Sequence, residues 1–140
     1  MTGFLLDTNV ISEVIRKRPE ATVLKWLDST DEDLLLLSVL TLGEIRKGVA
    51  ALRTGSRRAS LEAWLDRELP ARFAGRILPV DEAVADQWGI LAASAAARGR
   101  PLPVVDGLLA ATALHHSLIL VTRNDRHLAD TGVPVLNPWG

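Results

Sequence analysis

The sequence predicts an α/β fold: a mostly parallel central sheet with helices on both faces. Two observations carry this. Short apolar runs of strand character alternate with segments of helical period, and no tight hairpin turn joins them, only the last connection leaving that open. Four of these runs lead to an acid: Phe4-Leu5-Leu6 to Asp7, Leu34 to Val39 to Glu44, Val104-Val105 to Asp106, and Leu118 to Thr122 to Asp125. In parallel α/β sheets the loops after the strands' carboxyl ends gather along one edge, where ligands bind. Four carboxylates that follow strands are therefore expected to meet.

The elements follow in order. Thr2 to Asp7 reads as a buried strand, and Asn9 to Arg16 as a helix whose Val10, Ile11, Val14 and Ile15 share one face. Pro19 suits the opening of a second helix, Glu20 to Ser29, because proline is tolerated in a first turn. Leu34 to Val39 is a continuous apolar run, as in a central strand covered on both faces. A helix from Thr41 carries Leu42, Ile45, Val49 and Leu52, and Thr54-Gly55-Ser56 stops it. Ser60 to Phe73 is a further helix that Pro70 kinks or interrupts.

Ile77 to Val80 reads as a short strand, and Pro79 places it at or near an edge of the sheet. Asp81 or Asp86 introduces a long helix that Gly99 closes with a left-handed cap. After a loop marked by Pro101 and Pro103, an alanine-rich helix runs from Val105 or Asp106 to His116. Leu118 to Thr122 is the next strand, Arg123 to Asp130 a loop or short helical turn, and Val133 to Leu136 a last short strand.

Composition narrows the function. The chain of 140 residues is 48% hydrophobic and 24% charged, which suits one globular domain, read here as residues 1–140. Its apolar runs are too short to cross a bilayer, and Asp7 interrupts the N-terminal run before a secretory core develops. The expected location is the cytoplasm, with no membrane partner. There is no cysteine, so disulfides and thiolate metal sites are excluded and any metal must be held by oxygen or imidazole. A net charge of −1 argues against whole-surface attraction to nucleic acid and leaves local basic clusters, among them Arg98, Arg100, Arg123 and Arg126 near the later acids.

Taken singly, each acid has an ordinary explanation. Asp7, Asn9 or Asp106 can cap a helix, Asp125 can start a turn, and Thr41-x-x-Glu44 matches a capping box. Together, carboxylates crowded at one sheet edge repel unless a cation sits among them. An oxygen-only cluster suits Mg²⁺ or Mn²⁺, and such an ion supports attack of water on a phosphodiester or phosphomonoester. Competing sites are weaker: His115 and His116 are helix neighbours pointing about 100° apart, and neither a Gly-x-Ser-x-Gly elbow nor a Walker-type glycine loop is present. Trp26, Trp64, Trp88 and Trp139 are assigned to packing before base stacking.

Leu5-Leu6-Asp7-Thr8-Asn9-Val10-Ile11-Ser12-Glu13, Thr41-Leu42-Gly43-Glu44-Ile45-Arg46-Lys47-Gly48, Asp106-Gly107-Leu108-Leu109-Ala110-Ala111-Thr112-Ala113 and Val121-Thr122-Arg123-Asn124 resemble the PIN-domain ribonucleases, in particular toxins of the VapC and FitB type. The likeness extends through Phe73 to Pro79 and the terminal Val135-Leu136-Asn137-Pro138-Trp139, and so spans nearly the whole chain. It implies a three-layer α/β/α sandwich, Mg²⁺- or Mn²⁺-dependent cleavage of RNA, a homodimer, and inhibition by a cognate VapB- or FitA-like antitoxin that also binds operator DNA. It further implies Asp7 and Asp106 as principal metal ligands, with Glu44 holding the ion directly or through water. Thr8, Asn9 and Thr122 would orient carboxylates or contact phosphate, and Arg123 or Arg126 would steer phosphate. The fourth acidic position departs from the family: Asn124 stands where many relatives have an acid, and His127 where others have one. Asp125 lies between them and is the fourth catalytic candidate. Two other readings are an aspartyl-phosphate phosphatase using Asp7 as nucleophile, and a non-catalytic protein of the same fold with its pocket degenerate at Asn124.

Overall fold

Strands this short are held in place by register and by cover on both faces. The structure is a computed structural model and describes residues 1–140. Strands β1 (Phe4–Leu6), β2 (Leu35–Ser38), β3 (Ile77–Leu78), β4 (Ile119–Val121) and β5 (Val135–Leu136) lie in the order β3-β2-β1-β4-β5, and every pairing is parallel. β5 thus pairs in parallel with β4, so the last connection is not a hairpin. β1 is central, with Phe4 opposite both Leu35 and Ile119 and Leu5 opposite both Leu36 and Leu120. β3 is an edge strand, as Pro79 predicts, and Pro134 abuts the other edge strand, β5.

Alternation along the strands sends side chains into two separate cores. Leu6, Leu35, Leu37 and Val121 face one layer, made by α1 (Thr8–Val14), α2 (Ala21–Asp28), α3 (Val39–Ala50), α4 (Ser56–Ala63) and α5 (Leu69–Arg72). Leu5 and Leu120 face the other, made by α6 (Glu82–Ala97), α7 (Val104–His115) and α8 (Asp125–Leu128). The result is an α/β/α sandwich. Ala110, Ala111 and Ala113 are wholly buried, which lets α7 lie close on the sheet.

Several boundaries differ from those the sequence predicts, each for a local reason. α3 begins at Val39 because Ser38 caps it, its Oγ accepting from Leu40 N at 3.0 Å. The Thr41-to-Glu44 capping box therefore does not form, and the Thr41 hydroxyl is buried without a partner. Pro19 precedes the second helix instead of opening it, since Glu20 is the residue before α2. The helix expected from Ser60 starts at Ser56 and passes through a π-helical stretch, Trp64–Glu68, before α5. Pro70 explains that stretch: its ring would collide with the carbonyl four residues back, and a wider turn gives it room. α6 is capped by Asp81, which accepts from Val84 N at 3.0 Å, and Gly99 beyond its end has φ +73°, where glycine is favoured. Asp106 lies in the first turn of α7, after the N-cap Pro103, and so is not its cap.

Connectivity places the crevice. From β1 the chain moves outward to β2 and β3, then returns to the other side of β1 for β4 and β5. The loops after β1 and β4 consequently part toward opposite layers, which is where open α/β sheets bind ligands.

Candidate active site

Asp7 occupies that parting point. Its backbone N–H extends the β1–β4 ladder by donating to Val121 O at 2.9 Å, and its side chain then turns to cap α1. Oδ1 accepts from Thr8 N at 2.7 Å, while Oδ2 accepts from the Thr122 hydroxyl at 2.7 Å and, more loosely, from Asn9 Nδ2 at 3.4 Å. Thr122, fully buried, also accepts from Asn124 N at 3.0 Å, and Asn9 Oδ1 accepts from Arg123 N at 3.4 Å. One hydroxyl and one amide thus tie the loops after β1 and β4 into a single unit.

Two more acids reach the same place from the two helix layers. Glu44, one turn into α3, accepts a hydrogen bond from the Thr8 hydroxyl. Its apparent capping role is thereby replaced by a bridge to α1. Asp106 projects from the first turn of α7 and is partly buried. Burial raises the pKa of Asp7 above the ordinary carboxylate value against the lowering effect of Thr122 and Thr8, and the negative charges of Asp106 and Glu44 raise it further. Burial likewise raises Asp106, which His127 lowers and Glu44 raises. Asp7 therefore senses both other carboxylates, and Asp106 senses Glu44. None of them takes part in an ion pair with arginine or lysine.

The fourth region is built differently. Asp125 opens α8, its Oδ1 accepting from Arg126 N at 3.1 Å, and it has no part in shifting Asp7 or Asp106. His127, two residues along the same helix, is the α8 residue whose charge acts on Asp106. Arg123, Asn124, Asp125, Arg126 and His127 instead line a cavity of about 400 Å³ beside the C-terminal segment. His115 and His116 are exposed on α7, away from this edge.

No three His, Asp or Glu side chains converge tightly enough to form a closed metal cage. The donor set still suits a hard cation. Mg²⁺ retains several waters and needs only one or two direct carboxylates, and carboxylates that repel without a cationic partner are what such an ion relieves. Asp7, Asp106 and Glu44 are the residues that could hold it.

A family model described as PIN domain matches residues 4–133. The chain belongs to the PIN-domain family. Among its PIN relatives, toxin FitB of Neisseria gonorrhoeae is 42% identical over 96% of this chain and 97% of its own length. A VapC ribonuclease of Sinorhizobium fredii is 37% identical, covering 96% of each chain. A solved structure of FitAB bound to a DNA fragment superposes with a TM-score of 0.93 at 40% identity, covering 98% of this chain and 96% of that one. The sandwich, the sheet order and the crevice are thus those of a PIN domain, and the VapC and FitB resemblance read from the motifs holds.

Sequence reasoning passed over two features of this edge. Glu13 is 3% exposed although charged, and Trp139 packs beside the loop after β4. The first had a trace: Glu13 stands three residues after Val10, on the buried face of α1.

Proposed function

We propose that this PIN-domain chain is a ribonuclease toxin, cutting RNA phosphodiester bonds with a Mg²⁺ or Mn²⁺ ion held by Asp7, Asp106 and Glu44. The observation that carries the reading is the trio of carboxylates at the switch-point crevice, Asp7 and Asp106 raised in pKa by burial and none of the three paired with an arginine or lysine. When bound, such an ion supplies Lewis acidity and positive charge beside the scissile phosphate.

The chain's own residues do the rest. Thr122 and the Thr8 N–H hold the Asp7 carboxylate in one rotamer, and the Thr8 hydroxyl holds Glu44, so the acids need little rearrangement to receive a cation. Asn9 and Asn124, linked through Thr122, fix the floor on which a phosphate would rest. Arg123 and Arg126, exposed on the α8 side, bring positive charge to the flanking strand of RNA. Asp125 is retained as the fourth candidate acid, with His127 as the neighbour nearest in effect to Asp106.

We further propose a cognate antitoxin of the VapB or FitA kind as the partner, with assembly on operator DNA. The superposition on FitAB bound to DNA supports this. A homodimer is proposed from the same resemblance. No helix is long and apolar enough to cross a membrane, and a cytoplasmic site of action fits an RNA substrate.

The test is cleavage of a mixed tRNA and ribosomal RNA pool in Mg²⁺, Mn²⁺ or EDTA, beside Asp7→Asn and Asp106→Asn. Discrete fragments that require both the ion and the two carboxylates are expected, whereas full activity in both variants would refute the assignment. Asn124 favours a second reading, a binding protein of this fold without turnover. Tight metal-independent RNA binding with no cleavage would select it. The phosphatase reading is disfavoured because both Asp7 oxygens are engaged and Asn9 stands where a second acid is needed.

A further inference from the structure

A carboxylate inside α1 and a tryptophan near the C-terminus have no part in the site described so far. Glu13 is 3% exposed, yet it is fully served: Arg16 Nη1 donates to its two oxygens at 3.1 and 3.3 Å, and Glu20 N donates at 3.0 Å. The Glu20 N–H, then Arg16, and then the Trp139 indole hold its carboxyl below the ordinary range against the effect of burial. Trp139 is half-buried against the core on the α1 side of the sheet, with its backbone N–H donating to Asn137 Oδ1 at 2.9 Å. Over its ring lies Arg123, with Cζ 5.2 Å from the centroid.

Indole and guanidinium therefore form one stack that runs from the core on the α1 side to the mouth of the crevice. Arg123 directly follows Thr122, the residue bound to Asp7, and makes no ion pair of its own. A guanidinium held over an aromatic ring by cation–π attraction spends none of its N–H groups on an acceptor, and these are the groups that bond phosphate. A long arginine already held in place also gives up less freedom on binding. The cavity of about 400 Å³ between Arg123, Arg126, Asn137 and Trp139 has room for the ligand.

We propose that Trp139, seated against the core on the α1 side and tied to Asn137, is a positioning residue that holds Arg123 to take an RNA phosphate next to the one at the acids. The identity of the ligand rests on the ribonuclease reading; the positioning does not.

Binding of a single-stranded RNA oligonucleotide in EDTA, followed by fluorescence anisotropy over a range of salt, tests it with R123A, W139A, W139F and the R123A/W139A double variant. R123A is expected to weaken binding and to reduce the slope of log K against log salt by about 0.7, the loss of one phosphate contact on a single strand. W139A should reproduce most of that loss, the double variant should be no weaker than R123A, and W139F should recover binding. Losses that multiply in the double variant, or wild-type binding by W139A, would overturn the proposal. The NMR resonance of Arg123 Nε–H gives a readout independent of RNA. It should be displaced by the ring in the wild type, move to the free-arginine position in W139A, and return in W139F. If the wild type binds no RNA in EDTA, the phosphate contact is overturned, the ribonuclease reading is decided separately by the cleavage assay, and this resonance still decides the positioning. A free-arginine position in the wild type overturns it.

Discussion

Replacing Asp7 by Asn and by Ala should move stability in opposite directions. In Asp7→Ala the cap of α1 is lost, at about 1 kcal/mol, and the fully buried Thr122 hydroxyl is left without its acceptor, at about 1–3 kcal/mol. In Asp7→Asn the amide oxygen still accepts from Thr8 N. The new NH₂ faces the Thr122 oxygen, where it takes the place of the loose 3.4 Å bond from Asn9 Nδ2 beside the bond from Asn124 N. Asn therefore removes a charge and keeps the bonds, and should exceed Ala in stability by roughly 2–4 kcal/mol. That separation corresponds to roughly 6–12 °C in Tm for a domain of this size. The pH dependence has a definite sign. Because the folded pKa of Asp7 is raised, the native state binds more protons than the unfolded chain, so wild-type stability declines as pH rises from the ordinary carboxylate range through the raised value. Asp7→Asn lacks this decline. In urea unfolding with EDTA, its advantage over wild type should open between pH 4.5 and pH 8, and added Mg²⁺ should close it by stabilising the wild type. An Asp7→Asn protein less stable than wild type at pH 8 in EDTA would refute the claim that the carboxylate is held against its own repulsion.

Other outcomes follow from single contacts. Thr8→Val removes the hydroxyl that holds Glu44 and should cost about 10–100-fold in metal affinity or cleavage, with little change in Tm, measured by metal titration and RNA digestion. Gly107→Ala would place Cβ 3.0 Å from Cδ1 and Nε1 of Trp88; the collision, about 1–3 kcal/mol, should outweigh a helix-propensity gain of about 1 kcal/mol. Thermal melts should show that loss, and cleavage should fall with it because Asp106 is the preceding residue. Phe73→Ala, at a wholly buried ring flanked by Arg72 and Arg76, should cost about 3–5 kcal/mol in denaturant unfolding.

Local chemistry made much of the fold legible. Pro79 marked an edge strand and Gly99 the left-handed end of α6, each because a residue's own backbone preference decides the matter, whereas the start of α6 stayed open between Asp81 and Asp86 until the Asp81 cap was seen. The meeting of Asp7 and Glu44 was legible too, since both follow strands of a parallel sheet; Asp106 reaches them by another route, because Val104-Val105, expected as a strand, form the first turn of α7. What escaped depended on partners far along the chain. Thr41-x-x-Glu44 satisfied a local rule, but Thr8, 36 residues away from Glu44, took the carboxylate and Ser38 took the cap. The π-helical turn before Pro70 is one of several ways to relieve the same collision, and the sequence alone does not select among them. Trp139 looked like core because half of it is; the half that carries Arg123 is set by how the C-terminal segment returns to β4.

The Thr122-to-Asp7 bond joins residues 115 positions apart. Loop closure over such a distance has to be achieved before any energy is returned, so this contact is a late one in folding. During synthesis, Asp7, Thr8 and Glu44 leave the ribosome long before β4 exists. Until Ile119–Val121 takes its place beside β1, Asp7 has neither its second strand nor Thr122, and the crevice has only one wall. The site is therefore completed only when β4 docks, and a chain broken off between Asp106 and β4 carries three of the acids without the wall that holds Asp7.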